Sequence, residues 1–282
     1  MRFHKYHGAG NDFVMLLDPD GRLGLPSSLP PALVAALCDR HTGIGADGVI
    51  RIMADADALA AGAALRMDYY NADGSTAEMC GNGIRCLAVL ARSQGLIGDG
   101  EHTILTLAGP TPIRFEGDGR VTVDMGRPRD LQEAVSVDLG DASIEGTTVS
   151  MGNPHLVVFD RPLDEVPTLG PRLEVHPDFP SKTNVEFAEV LGLRELRMRV
   201  WERGIGETQA CGSGACAVAV VAAALGRTEP TVTIHLPGGD LEIARDDDGR
   251  VWMTGPAEEA FEGTIDAAWL RARGLSTQRA IA

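Results

Sequence analysis

Cys80-Gly81-Asn82-Gly83-Ile84-Arg85 opens the apolar run Cys86 to Ala91, and the pattern returns as Cys211-Gly212-Ser213-Gly214-Ala215 ahead of the run Cys216 to Leu225. Each time a cysteine stands just before a glycine-rich turn that leads into a helical pattern. The first N–H groups of a helix have no intrahelical partner and lie at the positive end of its dipole, which suits both a thiolate and a bound carboxylate. A thiol in that place is expected to ionise more easily than one at the free value of about 8.5.

The repeat extends outward from the cysteines. They are 131 positions apart, and Gly119-Arg120-Val121 recurs as Gly249-Arg250-Val251, 130 positions on. Both tripeptides sit in hairpin-like stretches, Ile113 to Met125 and Leu241 to Thr254, where apolar and polar residues alternate around an Asp-Gly turn. Gly10-Asn11 answers Gly152-Asn153 at an offset of 142, so the second copy has lost residues in between. An internal duplication accounts for this, each half supplying one cysteine. The implied fold is α+β: two pseudo-symmetric domains, each a mixed, strongly curved β-sheet wrapped around a central apolar helix, with the active site in the cleft between them. A helix apolar on all sides has to be enclosed by sheet. The expected boundaries are 1–126 for the N-terminal domain, with 265–282 packing back on it, and 127–264 for the C-terminal domain.

With 282 residues, each half is large enough for its own core. A net charge of −15, with Lys5 and Lys182 as the only lysines, argues against nucleic acid or an anionic membrane as partner. The N-terminus shows no charged-then-apolar leader, and the longest apolar run, Ala215 to Leu225, is too short to span a bilayer, so a soluble cytoplasmic protein is expected. Five cysteines, an odd number, do not suggest a disulfide framework. The spacings C-x5-C and C-x4-C are not those of structural zinc, and no metal is expected. Cys38, Cys86 and Cys216 lie within apolar helical patterns and are expected to pack.

In chain order, Phe3 to His7 and Val14 to Leu17 read as strands around the turn Gly8 to Asp12, where Asn11 either caps backbone or reaches a ligand. Pro31 to Arg40 reads as a short helix with proline near its start. Gly43-Ile44-Gly45-Ala46-Asp47-Gly48 spells G-x-G-x-x-G, but it follows a helix and opens the strand Val49 to Met53. A dinucleotide fingerprint does the reverse, so no nicotinamide or flavin is expected. Ala54 to Ala64 reads as a loop and Leu65 to Tyr70 as a strand; the first central helix ends near Gly95, and Thr103 to Leu107 adds a strand. In the second half, Thr147 to Met151, His155 to Phe159, Asn184 to Val190 and Glu195 to Trp201 read as strands, and Asp266 to Arg273 as a closing helix.

Two thiols offered to one ligand from related half-sites suit removal of a proton from one face of a carbon and its return on the other, which inverts a stereocentre. Such acid–base assistance gives roughly 10²–10⁴-fold in rate. Helix-start amides aimed at the α-carboxylate would stabilise the carbanion-like transition state, although they also bind the ground-state carboxylate.

Asn71-Ala72-Asp73-Gly74, Met79 to Arg85, Met151-Gly152-Asn153-Pro154-His155, Thr183-Asn184-Val185-Glu186-Phe187, Glu202 to Thr208 and Ala210 to Ala215 together resemble diaminopimelate epimerases, in family order and over nearly the whole chain. The resemblance implies an enzyme without pyridoxal phosphate or metal that interconverts LL- and meso-2,6-diaminopimelate for lysine and peptidoglycan synthesis. By motif position, Cys80 and Cys211 are the implied acid–base pair, Cys80 taking the proton from the LL isomer. Amides around Gly81, Asn82, Gly212 and Ser213 would hold the reacting carboxylate. Glu202 and Asn11 would hold the reacting amine, with His155 and Glu202 assisting thiol ionisation. Asn71, Asn153, Asn184 and Arg203 would read the distal end, where a guanidinium can also grip a carboxylate bidentately.

Plainer roles exist for several of these: Asn71 and Asn184 flank turns, His155 could be a core histidine, and Glu202 with Arg203 a surface ion pair of little worth. Gly48 stands where many family members have glutamine, and Leu156 where a further cysteine is often seen. The rivals are a two-cysteine proline or hydroxyproline racemase and a non-catalytic amino-acid-binding or thiol-redox protein. A small-molecule substrate is the expected partner; the oligomeric state stays open, a homodimer included.

Overall fold

The computed structural model describes residues 1–273, which divide into two compact units. The first comprises Met1–Gly8, Asp12–Val123 and the chain from Pro256 onward, the second Ala9–Asn11 and Asp124–Gly255. The strands are β1 (Arg2–Gly8), β2 (Asn11–Leu17), β3 (Gly48–Met53), β4 (Leu65–Asn71), β5 (Glu101–Thr106), β6 (Gly109–Phe115), β7 (Val121–Asp124), β8 (Arg129–Asp138), β9 (Ser143–Ser150), β10 (Pro154–Phe159), β11 (Asn184–Gly192), β12 (Glu195–Glu202), β13 (Gly206–Thr208), β14 (Thr231–Leu236), β15 (Gly239–Arg245), β16 (Val251–Gly255) and β17 (Glu258–Thr264). The helices are α1 (Pro31–Cys38), α2 (Ala56–Ala60), α3 (Gly81–Ser93), α4 (Val166–Glu174), α5 (Gly212–Ala224) and α6 (Ala267–Ala272).

In the first unit β17 runs antiparallel to β1, β2 parallel to β3, β3 antiparallel to β4 and β4 parallel to β5, and β5, β6 and β7 form a meander. This mixed sheet curls around α3, which packs on β1, β3, β4 and β17. The second unit pairs β8 with β9 and β9 with β10 antiparallel, β10 with β11 parallel, β11 with β12 antiparallel, β12 with β14 parallel, and β14, β15 and β16 in a meander. Its sheet curls around α5, which meets β9, β10, β11, β14, β15 and β16. The expected α+β plan of a mixed, curled sheet around one helix therefore describes each unit. The physical driver is apolar enclosure: Ile84, Leu87 and Leu90 of α3 and Ala215, Val218 and Val221 of α5 are all fully buried.

The boundary expected at residue 264 falls earlier, at Gly255. Glu258 to Thr264, expected in the second domain, form β17, which pairs along β1 from Arg2↔Thr264 to His7↔Glu258 and so belongs to the first unit. The first-domain end likewise moves from 126 to Val123, and Ala9–Asn11 group with the second unit. Helix α6 starts on an Asp266 cap that accepts from Ala268 N, and its Leu270 is buried with Phe3, Val14, Leu16 and Leu37. The rest of the 265–282 segment, residues 274–282, lies outside the described residues.

Several elements were not expected from the sequence, the strands β13 and β14 among them. The alanine-rich loop contains α2, started by an Asp55 cap on Ala58 N. Helix α4 was hidden by Pro167, Gly170 and Pro171; glycine is needed at 170 because a Cβ there would lie 2.6 Å from Trp201 Cβ. Strands β8 and β17 are largely exposed, so they lack the alternation that marks a half-buried strand, and Asp130 and Ala134 at φ 54° break the period of β8. No helix among the described residues is long and apolar enough to cross a membrane.

Candidate active site

Both cysteines cap helices in the same way. Cys80 precedes α3 in extended backbone, φ −138° and ψ 112°, and its Sγ accepts from Gly83 N at 3.4 Å. Cys211 precedes α5 at φ −123° and ψ 111°, and its Sγ accepts from Gly214 N at 3.4 Å. In each helix sulfur occupies the place where a serine or aspartate oxygen usually receives the N3 amide. The thiol is thereby fixed at the dipole's positive end, beside helix-start N–H groups suited to a carboxylate.

The surroundings of Cys80 carry positive charge. Arg85, fully buried, donates from Nη2 to Asn82 Oδ1 at 2.9 Å, from Nη1 to Gly81 O at 3.3 Å and from Nε to Pro256 O at 3.2 Å. The Asn82 side chain is thus held within the protein, which leaves the backbone of Gly81 and Asn82 as the means of holding a ligand. Asn71, at the end of β4, donates from Nδ2 to Ser75 Oγ at 3.0 Å while its N–H reaches Ser75 O at 2.9 Å, so its side chain braces the turn that leads toward Cys80. Cys80 is half-buried, whereas burial pushes the Cys38 and Cys86 thiols up to about 12.

The second half-site is a connected polar cluster. His155 Nδ1 lies 2.7 Å from Glu186 Oε1, with both side chains wholly buried, and His155 Nε2 lies 2.9 Å from Asn153 Oδ1. Asn153 Nδ2 donates to Ser213 Oγ at 3.2 Å, and Ser213 Oγ is 3.6 Å from Cys211 Sγ. Glu202 ends β12 next to this thiol and accepts from Thr208 Oγ1 at 2.5 Å. Its carboxyl is raised above the ordinary range by burial, against hydrogen bonds from Thr208 and Cys211. Burial also pushes the Cys211 thiol well above its usual value; the Glu202 and Glu186 carboxylates add to this, and Ser213 and Gly214 N–H oppose it. The expectation of easier ionisation at the helix start is therefore corrected for Cys211: at 6 % exposure, desolvation and two carboxylates outweigh the dipole.

Asn184 opens β11, donating from Nδ2 to Pro154 O at 2.9 Å and accepting Arg203 N on Oδ1 at 3.0 Å. Arg203 is exposed, with Nη1 on Ser181 O at 3.2 Å. Asn11 starts β2, after the tight turn in which Ala9 and Gly10 have positive φ, and it groups with the second unit. The structure thus brings Asn153, His155, Glu202, Cys211, Gly212 and Ser213 together in one unit, and Cys80, Gly81 and Asn82 in the other. The sequence reading did not single out Glu186. Its signal was a glutamate set between Val185 and Phe187 in a strand buried on both faces.

The two departures from family pattern have packing consequences. A Cβ at Gly48 would lie 2.5 Å from Tyr70 O and 2.7 Å from Tyr69 Cε2, so this backbone leaves no room for a side chain there. Leu156 is fully buried among Val137, Ile144 and Phe187, as expected of a packing residue. In the G-x-G-x-x-G stretch, Gly43, Ile44, Gly45 and Ala46 N–H donate to carbonyls of Asp39, Leu37 and Cys38, so they are not presented to a phosphate. Among the described residues, His4, Glu259 and Glu262 have metal-ligand spacing, but Tyr6 OH and Arg2 already engage the two carboxylates.

Comparison with known proteins places this geometry in a family. The diaminopimelate epimerase family model matches residues 3–131 and 147–259. The chain belongs to the diaminopimelate epimerase family. It is 47 % identical to the diaminopimelate epimerase of Desulforudis audaxviator over an alignment of 293 residues, covering 96 % of this chain and 100 % of that protein. Among solved structures, the fold is similar to a Bacillus anthracis phenazine biosynthesis protein of the PhzF family, at TM-score 0.70 and 16 % identity, covering 93 % of this chain and 98 % of the other. It is similar too to a hydroxyproline epimerase from Agrobacterium vitis with bound trans-4-OH-L-proline, at TM-score 0.69 and 14 % identity, covering 93 % and 91 %. At such identities the last two speak for the fold alone, and the resemblance to the diaminopimelate epimerases rests on the family match.

Proposed function

We propose that the chain is an isomerase that interconverts LL- and meso-2,6-diaminopimelate, for lysine and peptidoglycan precursor synthesis, without a cofactor. The observation that carries this is the matched pair of cysteine caps, Cys80 on α3 and Cys211 on α5, in a chain of this family. In this mechanism the Cys80 thiolate takes the α-proton of the LL isomer and the Cys211 thiol delivers one to the opposite face; the reverse reaction exchanges the roles. Helix-start amides of Gly81, Asn82, Gly212 and Ser213 hold the α-carboxylate and stabilise charge as the carbanion develops, which is the larger part of the catalytic task. Glu202 and Asn11 receive the reacting ammonium, and His155 and Glu202 assist proton movement at the thiol. Asn71, Asn153, Asn184 and Arg203 read the distal amino-acid end; support for this comes from the exposed guanidinium of Arg203, whose backbone is tied to Asn184.

A biosynthetic role of this kind fits a cytoplasmic enzyme acting on a small molecule, and the net charge of −15 fits no nucleic-acid partner. Light scattering on the purified protein decides between monomer and homodimer. The test of function is proton NMR of protein and LL-diaminopimelate in D2O under reducing conditions with nothing added. Growth of the meso isomer with deuterium at one α-carbon is the expected result, and Cys80→Ala and Cys211→Ala should each nearly abolish it while remaining folded. Near-wild-type turnover by either variant sinks the two-base assignment. Exchange with proline or hydroxyproline instead of diaminopimelate would move the substrate to the rival racemases.

A further inference from the structure

Glu186 has no role in the scheme above, yet its setting is unusual. Its side chain is wholly buried on β11, one carboxylate oxygen meets His155 Nδ1 at 2.7 Å, and the other, Oε2, has no hydrogen-bond partner. A buried carboxylate with an unsatisfied oxygen is costly, and such groups are retained where they serve the site. The first turn of α5 is built to admit it. A Cβ on Gly214 would lie 2.7 Å from Glu186 Oε1, 3.2 Å from its Cγ and 3.3 Å from Cys211 Sγ, so glycine there lets the carboxylate and the sulfur approach the same backbone.

The hydrogen-bond directions give Glu186 a second route to the thiol. Both ring nitrogens of His155 face acceptors, Glu186 Oε1 and Asn153 Oδ1. Nε2–H therefore donates to Asn153, and a second proton lies between Nδ1 and Glu186. Asn153 Nδ2 donates to Ser213 Oγ, which leaves the hydroxyl hydrogen for Cys211 Sγ. The chain runs one way, from the carboxylate to the sulfur, and such chains polarise cooperatively. The titratable groups that act on Cys211 are Glu202 from β12 and Glu186 from β11, and His155 from β10 is hydrogen-bonded to Glu186.

We propose that Glu186 is a positioning residue that, sharing a proton with His155, fixes the Asn153–Ser213 chain and holds Cys211 as the thiol in the free protein. This rests on the acid–base role assigned to Cys211, and it explains how one member of a duplicated pair rests protonated. Direct repulsion from the carboxylate disfavours the thiolate of Cys211, against the donation from Ser213. A glutamine at 186 can still donate to His155 Nδ1 and keep the chain's direction, so Glu186→Gln removes the charge while sparing the geometry.

The test is a thiolate titration by ultraviolet absorbance on ligand-free protein, in a Cys80→Ala background so that Cys211 is read. Glu186→Gln should shift the Cys211 transition to lower pH, the thiolate fraction at a fixed pH rising several-fold. His155→Gln, which strips the carboxylate of the group that shares its proton, should shift it the other way. A Glu186 that is merely structural would change stability and leave the transition where it was, and that result in a folded Glu186→Gln overturns the proposal. If Glu186→Gln does not fold, His155→Gln carries the test, and an unmoved or lowered transition refutes it. Because no substrate is present, failure here is separable from failure of the epimerase assignment, which the D2O experiment reads on its own.

Discussion

Alanine at Gly214 is the sharpest perturbation of the Cys211 half-site, and its magnitude follows from three contacts. The new methyl would stand 2.7 Å from Glu186 Oε1, 3.2 Å from Glu186 Cγ and 3.3 Å from Cys211 Sγ. None of these atoms yields easily, since Glu186 is fully buried and bonded to His155 at 2.7 Å, and Cys211 is tied to the Gly214 amide. Overpacking of this kind costs about 1–3 kcal/mol, and loosening a buried hydrogen bond to a charged group adds about 1–3 kcal/mol. Alanine's helix preference over glycine returns at most about 1 kcal/mol. The net expectation is a loss on the order of 1–5 kcal/mol.

The duplicated position supplies the control. A methyl at Gly83 would meet Ile50 Cδ1 at 2.6 Å and Met67 Cε at 3.2 Å, the ends of flexible side chains that can rotate aside. With helix preference opposing the crowding, Gly83→Ala should stay within about 1 kcal/mol of the parent. Urea denaturation followed by circular dichroism reads both, with the slope checked for constancy. In melting temperature each kcal/mol is about 2–4 °C for a chain of 150–250 residues and no more for this one. Equal stability of Gly214→Ala and wild type, or a larger loss at Gly83, would refute the claim that a fixed carboxylate presses on the first turn of α5.

Two further outcomes are expected. Burial raises the Asp12 carboxyl, but hydrogen bonds and charge from Arg40 and Lys5 prevail and lower it from 3.8 to about 2. Its stabilisation is therefore present above about pH 4 and lost as pH falls through about 2; after allowance for partial exposure it is on the order of 1 kcal/mol. Thermal melts of Asp12→Asn and the parent should differ near neutral pH and converge near pH 2, and a constant gap across that range would contradict the assignment. Native alkylation with iodoacetamide, mapped by peptide mass, should reach Cys80 before Cys38, Cys86, Cys211 and Cys216, because these four are buried and Cys80 is not. Faster labelling of Cys211 than of Cys80 would contradict the burial that separates the two thiols.

The sequence announced the two helix starts because cysteine, glycine and an unbroken apolar run coincide there twice, and period alone then demanded an enclosing sheet. It concealed elements whose burial is one-sided or absent. Strand β17 is made of Glu258, Glu259, Ala260, Phe261, Glu262, Gly263 and Thr264 with little alternation, and only its register against β1 identifies it. Helix α4 carries two prolines and a glycine that are local helix breakers, yet Val166, Leu169 and Leu173 bury one face, and packing overrides propensity. Glu186 was hidden by its neighbours: alternation with Val185 and Phe187 points a glutamate outward in a half-exposed strand, and β11 is buried on both faces where it passes α5. The candidate residues that could be named lie in turns, at helix starts and at or near strand ends, where motifs dictate geometry; Glu186 lies inside a strand.

The duplication and the chemistry make different demands on the same pair of helices. Identical caps, with matching backbone angles and a 3.4 Å bond to the third amide in each, give two equivalent places for a proton. Inversion at a carbon needs those places to be unequal at rest, one empty and one filled. The inequality lies in what each helix start is packed against. Arg85, in α3, puts a buried guanidinium next to the Cys80 turn, while its counterpart 131 positions on is Cys216, buried and uncharged. In α5 the first turn instead receives Glu186 and the neighbouring Glu202. A guanidinium bonded to Gly81 O stands beside one helix start, whereas carboxylates stand beside the other and disfavour the thiolate of Cys211, since like charge opposes the ionised form. The frame was copied and the charges around it diverged, and under the proposed mechanism that divergence separates the base from the acid.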